Sequence, residues 1–468
     1  MRTFLNAAPG CLIGAATGPK TPFRRAGTCV AVALFCLSAP AVAKTPLLVV
    51  TATPYRPDSG TLAVRCGRLI DGIADTVRKD AVVLIRDGRI ASVGAGPIPA
   101  DVATLDLSKS MCLPGLIDMH THLTDSGHET GDLSVYYKRT KAQQGAIARE
   151  SARTTLLAGF TSVRDVGTYI AWVDRELRDA INAGQAVGPR MQVCGFYLTI
   201  PGGGGDLVIP GHAESEIPPE VRIGVARGAD QFRQKAELAV AGGADELKVI
   251  ASGAVLAYGG VPGQREMMPE EIKAVVDVAH AHGLKVAAHA HGAQSIKDAI
   301  LAGADTIEHA SLIDDEGIAL AKQHHVALSM DVYNGDWIDT EGRKQGWPAE
   351  FLRKNVETTE IQRQNFTKAH AAGVDIVFGT DAAVYPHGLN ARQFPIMVQR
   401  GMTPMEAIRA ATSLAAHYMG REQDIGSLQP GRFGDLIAVE GDPLADISLL
   451  QKVPVVVKGG LVFKAPGH

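Results

Sequence analysis

The sequence predicts an α/β protein: a (β/α)8 TIM barrel with a small β-sandwich domain built from both ends of the mature chain. Three observations predict it. Apolar strand-like runs alternate with amphipathic helical runs through the middle of the 468-residue chain. β-rich stretches with paired turn signals lie on either side of that middle. Metal-binding residue types recur where the apolar runs end.

Length and composition bound the answer. A barrel alone runs to ~250 residues, so the chain has room for an appended module. It is 46% hydrophobic and 21% charged, as expected for a globular protein with a core. The formal net charge of -4, with no basic stripe, argues against nucleic-acid binding.

Residues 1–43 read as a secretory leader. Arg2, Lys20, Arg24 and Arg25 precede an apolar stretch from Cys29 to Leu37, and Ala-Val-Ala at 41–43 supplies the cleavage pattern. The apolar stretch is shorter than the ~18 residues of a membrane span. The mature protein is therefore expected to start after Ala43, free of the membrane, in the periplasm or outside the cell. Cys11, Cys29 and Cys36 would leave with the leader. Cys66, Cys112 and Cys194 remain, without zinc-like spacing; they allow at most one disulfide, and buried free thiols are the expectation.

Residues 44–113 and 421–468 form the composite β-domain. The first carries TLAVRCGRLIDG, AVVLIRDGRIASVG and ATLDLS, with Asp-Gly turns at 71–72 and 87–88. The second carries SLQPGRFGDLIAVEGD and PVVVKGGLVFK, with a Gly459-Gly460 hairpin turn.

Residues 114–420 form the barrel. Its strands are expected at 115–122, 160–166, 191–199, 246–252, 285–291, 306–310, 326–333 and 375–381. PEEIKAVVDVAHAHG at 269–283 typifies the helices between them. Thr403-Pro-Met-Glu406 is a capping box that opens a helix ending near Gly420. An open doubly wound sheet would want a Gly-rich loop after the first strand; that position holds His-Thr-His.

The strand ends carry the chemistry. His120 and His122, two apart in LPGLIDMHTHL, share one strand face, so both imidazoles can reach one cation. Lys248 sits in apolar ELKVIAS. A buried ammonium is costly, so it should pair with Asp245 or Glu246 or lose its proton. A neutral amine can add carbon dioxide, and the resulting carbamate can bridge two cations. His289 and His309 finish strands five and six. Asp381 finishes strand eight, where a carboxylate can bind a metal and relay a proton from water to a leaving amine; a helix N-cap is the plainer reading.

This ordered set resembles the amidohydrolase superfamily over residues 114–382 and the split β-domain. The resemblance implies two divalent ions, usually zinc. His120, His122 and Asp381 would hold one, His289 and His309 the other, and a carboxylated Lys248 and a hydroxide would bridge them. KVAAHAHG followed by AILAGADTIEHAS is similar to the branch of imidazolonepropionase-like proteins, Xaa-Pro dipeptidases and ochratoxin amidases. The peptidase-like members of that branch use a lysine on strand four, as here, so the resemblance favours an amide or peptide bond over a ring amidine. The implied activity is release of a C-terminal amino acid from small N-acyl amino acids or dipeptides, with ochratoxin among the candidates. A cyclic-amide hydrolase or deaminase is the alternative; a scaffold without chemistry is disfavoured because every ligand position is kept.

His291, facing as His289 does, is nominated to orient the scissile carbonyl, with packing as its plainer role. Tyr258, in the loop after Lys248, is nominated to donate to a substrate carboxylate or oxyanion, with loop packing as the alternative. Arg164 and Arg265 are expected in salt bridges within the fold, for instance Arg164 to Asp165. His387 is a candidate pocket residue. Many peptidase-like relatives carry a His in a Gly-Gly-His-Gly loop after strand three; this chain has Gly204 there. The resemblance also implies a homo-oligomer.

Overall fold

The computed structural model describes residue 47 and residues 49–467. The leader expected at 1–43 lies outside the described residues. Sixteen strands follow in order among the described residues. They are β1 (Leu62–Leu69), β2 (Arg78–Arg86), β3 (Arg89–Gly94), β4 (Thr104–Pro114), β5 (Leu116–Thr121), β6 (Phe160–Asp165), β7 (Arg190–Val193), β8 (Tyr197–Leu198), β9 (Glu246–Ile250), β10 (Lys285–Ala290), β11 (Thr306–His309), β12 (Ala327–Ser329), β13 (Ile376–Val377), β14 (Leu436–Glu440), β15 (Val455–Lys458) and β16 (Leu461–Lys464).

Strands β5 to β13 form the barrel, and within each of its two sheets every strand lies beside its neighbour in the chain. β5, β6 and β7 make one parallel sheet, and β8 to β13 make a second. Every residue of β5, β6 and β9 is buried. That is the signature of parallel strands covered on both faces. The helices supply the outer cover: Pro269–Ala281 turns Ile272, Val275, Val276 and Ala279 inward. At the seam between β5 and β13, Met119 N–H donates to Phe378 O (2.8 Å) and His122 N–H to Ala382 O (3.0 Å).

Two barrel expectations change. The third strand, read as 191–199, is cut into β7 and β8. Gly195 between them has φ +83°, and a Cβ there would stand 2.5 Å from the Trp172 ring. The helix opened by Thr403 keeps its capping box but stops at Ala410; a separate turn runs Ser413–Tyr418. The carbonyls of Ala410 and Ala411 instead accept from Phe378 N–H (2.9 Å) and Ile117 N–H (2.7 Å), tying the helix end to the barrel floor.

The two ends of the chain meet in one seven-stranded sheet, ordered β16-β15-β14-β4-β1-β2-β3. The join is antiparallel, β4 against β14, with Cys112 opposite Ala438. Leu62, Val64, Leu105, Ala438 and Val457 fill one face. Arg190 of β7 binds Asp58 (2.6 Å) and Asp435 (2.8 Å), linking barrel to sheet. Cys66 and Cys112 are joined by a disulfide, which corrects the expectation of free thiols; Cys194 alone among the described cysteines is free, and it is buried. The pairing could not be read from spacing, because parallel neighbours β1 and β4 are brought together by the β2–β3 excursion.

Candidate metal centre

The predicted ligands converge at the mouth of the barrel. His120, His122 and Asp381 each offer an atom within 4.8 Å of the others; so do His289, His291 and His309, and His309, Asp331 and Asp381. The His289 and His309 rings stand 4.5 Å apart, and His120 and His309 4.9 Å. Lys248 reaches the same cavity from β9. The cavity has about 150 Å³ of free space, a size that admits a benzene-sized group.

The backbone bends to make this possible. His309 and Asp381 adopt left-handed φ values of +69° and +55°. Non-glycine residues hold that conformation at a cost of about 1–3 kcal/mol, and such strain clusters at functional sites. Gly379 makes room beside them: a Cβ there would lie 3.0 Å from the His120 Cβ and 2.0 Å from Ser329 Oγ.

Hydrogen bonds aim the rings. His120 Nδ1 meets Glu308 Oε2 (2.8 Å), His122 Nδ1 meets Gly167 O (2.8 Å) and His309 Nδ1 meets Asp331 Oδ1 (3.0 Å). Each partner is an acceptor, so each Nδ1 carries a proton, and Nε2 of His120 and of His122 is turned toward Asp381 (3.5 and 3.2 Å). This is the arrangement of metal-ligating histidines, whose second nitrogen is fixed by an outer acceptor. Lys248 Nζ and His289 Nε2 are buried without a hydrogen-bond partner. Buried polar atoms are normally satisfied, so these two mark where a bound group would complete the site. The donor set, imidazoles with carboxylate, suits zinc and related divalent ions.

Burial sets the protonation states. It pushes His120 and His291 down to about 3, favouring neutral imidazoles. Burial also opposes charge on His122, but the Asp381 carboxylate at 3.2 Å outweighs it and carries His122 up to about 9. Asp381 falls below the usual carboxylate range despite its burial, held there by His122 and His120. Lys248 is pushed down by desolvation, in the direction a carbamate-forming amine requires. It pairs with neither expected acid: Asp245 binds Arg178 (2.7 Å) and Glu246 lies beside Arg164 (3.6 Å).

Other expectations are sorted by the geometry. His291 lines the cavity, with Nδ1 2.8 Å from Ser311 Oγ. Tyr258 is not among the residues that line it; its ring packs on Phe351 at 4.9 Å, the packing alternative to a substrate donor. His387 sits behind the wall, Nε2 3.0 Å from Asp125 O. Arg164 pairs with Glu308 (2.5 Å), not Asp165, and Arg265 with Asp298 (2.5 Å). Gly204 lines the cavity. Glu308 and Asp331 escaped the sequence reading. Glu308 precedes His309 in TIEHAS, and Asp331 ends strand seven; the second bore the same strand-end signal as Asp381.

A barrel with this cluster at its mouth and a sheet domain made from both chain ends defines a metal-dependent hydrolase class. Residues 111–462 match the Amidohydrolase family, and the chain belongs to it: it is a hydrolase acting on amide bonds. It is 32% identical over 427 residues to ochratoxinase from Aspergillus niger, covering 86% of this chain and 87% of that one. The solved structure of a Xaa-Pro dipeptidase with methionine bound in its active site superposes with a TM-score of 0.81 at 33% identity, covering 87% of this chain and all of that one. The A. niger ochratoxinase structure superposes at 0.77 and 30% identity, covering 87% and 96%.

Proposed function

We propose that the protein is a binuclear metal-dependent amidase that releases a C-terminal amino acid from small N-acyl amino acids or dipeptides, ochratoxin A being a candidate substrate. The observation that carries this is the convergence of the imidazoles and Asp381 around the unpartnered Lys248 Nζ. In this reading His120, His122 and Asp381 would hold one zinc ion and His289 and His309 the other, and a carboxylated Lys248 would serve as a further ligand. Bound there, the ions would supply Lewis acidity and lower the pKa of water to ~7.

The chain's own residues do the rest. Asp381, an anion at neutral pH, accepts the proton of the attacking water on a carboxylate oxygen and passes it to the departing nitrogen. The Asn334 amide, 3.1 Å from Asp381 Oδ2, fixes the carboxylate for that transfer. His291, neutral and steadied by Ser311, orients the scissile carbonyl. The two similar structures named above support amide chemistry on small substrates. A leader at 1–43 would place the enzyme in the periplasm or outside the cell, a reading supported by the Cys66–Cys112 disulfide.

The test is amino-acid release by residues 44–468, zinc-loaded, from N-acyl amino acids, Xaa-Pro and other dipeptides, and ochratoxin A, with K248A alongside. Release that vanishes in K248A supports the reading. No release with two ions bound per chain would redirect it to cyclic amides.

A further inference from the structure

Beyond His122 the cavity wall carries a charge that the metal centre does not use. Asp125 lines the cavity and is only 6% exposed. Its Oδ1 accepts from Gln144 Nε2 (2.9 Å) and Thr124 Oγ1 (3.2 Å), and its carboxylate also hydrogen-bonds the Tyr136 side chain. All three partners are neutral. Arg139, whose charge reaches Asp125, is itself bound to Glu129 at 2.6 Å. The His122 imidazole also acts on Asp125, but it bears on Asp381 at 3.2 Å and belongs to the candidate metal cluster, so no cation is dedicated to this buried carboxylate, and one entering the cavity would offset the cost of burying it.

The surroundings fit a cation. Tyr136, Tyr169 and Tyr197 line the same cavity, their rings in a row at 4.7 and 5.2 Å. Phenol faces attract ammonium groups. Apart from the histidines of the candidate metal cluster, the cavity offers little to hold an anion. Among the described residues that line the cavity, Lys248 is the sole lysine or arginine, and the proposed centre takes it. The Gly-rich loop, which could have offered bare N–H groups, has used them internally: Gly202 donates to Asp206 (2.9 Å), Gly204 to Glu266 (2.8 Å) and Gly205 to Thr199 (3.3 Å).

We propose that Asp125 and the Tyr136–Tyr169–Tyr197 wall form a subsite for an ammonium group, the free α-amino group of a dipeptide substrate. This rests on the amidase reading and narrows it: unblocked dipeptides, not N-acyl amino acids, are the preferred substrates.

The experiment compares alanyl-phenylalanine with its N-acetyl and N-succinyl derivatives, which share one leaving group, on the zinc-loaded mature chain and on D125N. Metal content and melting temperature are recorded for both proteins. In the wild type kcat/KM should fall at least tenfold from free amine to acetyl and be lowest for succinyl, mostly through KM. In D125N the free-amine advantage should collapse, and cleavage of the succinyl substrate should rise at least threefold, a gain that misfolding cannot produce. Equal kcat/KM for free and acetylated substrates in the wild type, or an unchanged ratio in D125N, overturns the subsite and leaves the amidase reading standing. Should D125N not bind metal, the wild-type ratio decides. No release from these three or from the wider amide panel overturns both.

Discussion

Arg164 and Glu308 form a fully buried ion pair, Nη2 to Oε1 2.5 Å, directly behind the candidate metal ligands. Glu308 gives its other oxygen to His120 Nδ1 at 2.8 Å, so one carboxylate both neutralises the arginine and aims the imidazole. Arg164 is held further by Met119 O (2.6 Å) and Thr306 Oγ1 (2.9 Å).

Glu308→Ala should therefore act on fold and site together. Removing one partner of a buried pair costs about 3–5 kcal/mol, of which Glu246, 3.6 Å from Arg164, would offset a part. Denaturant melts should register that loss, and metal analysis should find fewer ions per chain because His120 is no longer oriented. A variant with wild-type stability and full metal content would refute the link.

Metal removal tests the centre itself. Dialysis against a chelator should abolish amide hydrolysis and lower the melting temperature, with zinc restoring both. An ion at a hundred times its dissociation constant stabilises the folded state by about 2.7 kcal/mol. An unchanged melting curve after verified metal removal would argue that the histidines are structural.

Tyr258→Phe should leave kcat/KM within about twofold, since Tyr258 is not among the residues lining the cavity and its ring keeps its contact with Phe351. A tenfold loss would return Tyr258 to the substrate.

Lys458 gives a pH-dependent stability. Burial, with Arg190 beside it, pushes its amine down to about 7 from an ordinary value of 10.5, and Nζ donates to Gly188 O at 2.7 Å. Between these values the unfolded chain holds a proton that the folded protein has lost. Stability from this group therefore rises with pH across that window, by up to about 1.4 kcal/mol per unit. The stability difference between wild type and K458M, measured at pH 7 and pH 9, should move in the wild type's favour at the higher pH. A difference that does not change with pH would refute it.

Opening the Cys66–Cys112 bridge, which spans 46 residues, should cost about 2–5 kcal/mol. Melts of the double Cys→Ala variant test this, and the barrel activity should survive at low temperature.

The sequence alone determined the fold class and picked out side chains that the fold gathers at the barrel mouth. Parallel strands buried on both faces must be apolar throughout, so β5, β9 and β10 announced themselves, and a histidine or lysine interrupting such a run had to be functional or paired. The sheet shared by both chain ends was equally legible, because its Asp-Gly and Gly-Gly turns are local. What tertiary structure decided was every pairing between residues far apart in the chain. The partner of Lys248 could not be read: Asp245 and Glu246 are its neighbours in sequence, yet Arg178 and Arg164 claim them. Glu308 and His120, 188 residues apart, meet only because β5 and β11 face one another across the barrel mouth. Cys66 found Cys112, and Asp125 its three tyrosines, for the same reason. Local pattern fixes which side of an element is buried; what it is buried against depends on the closed fold.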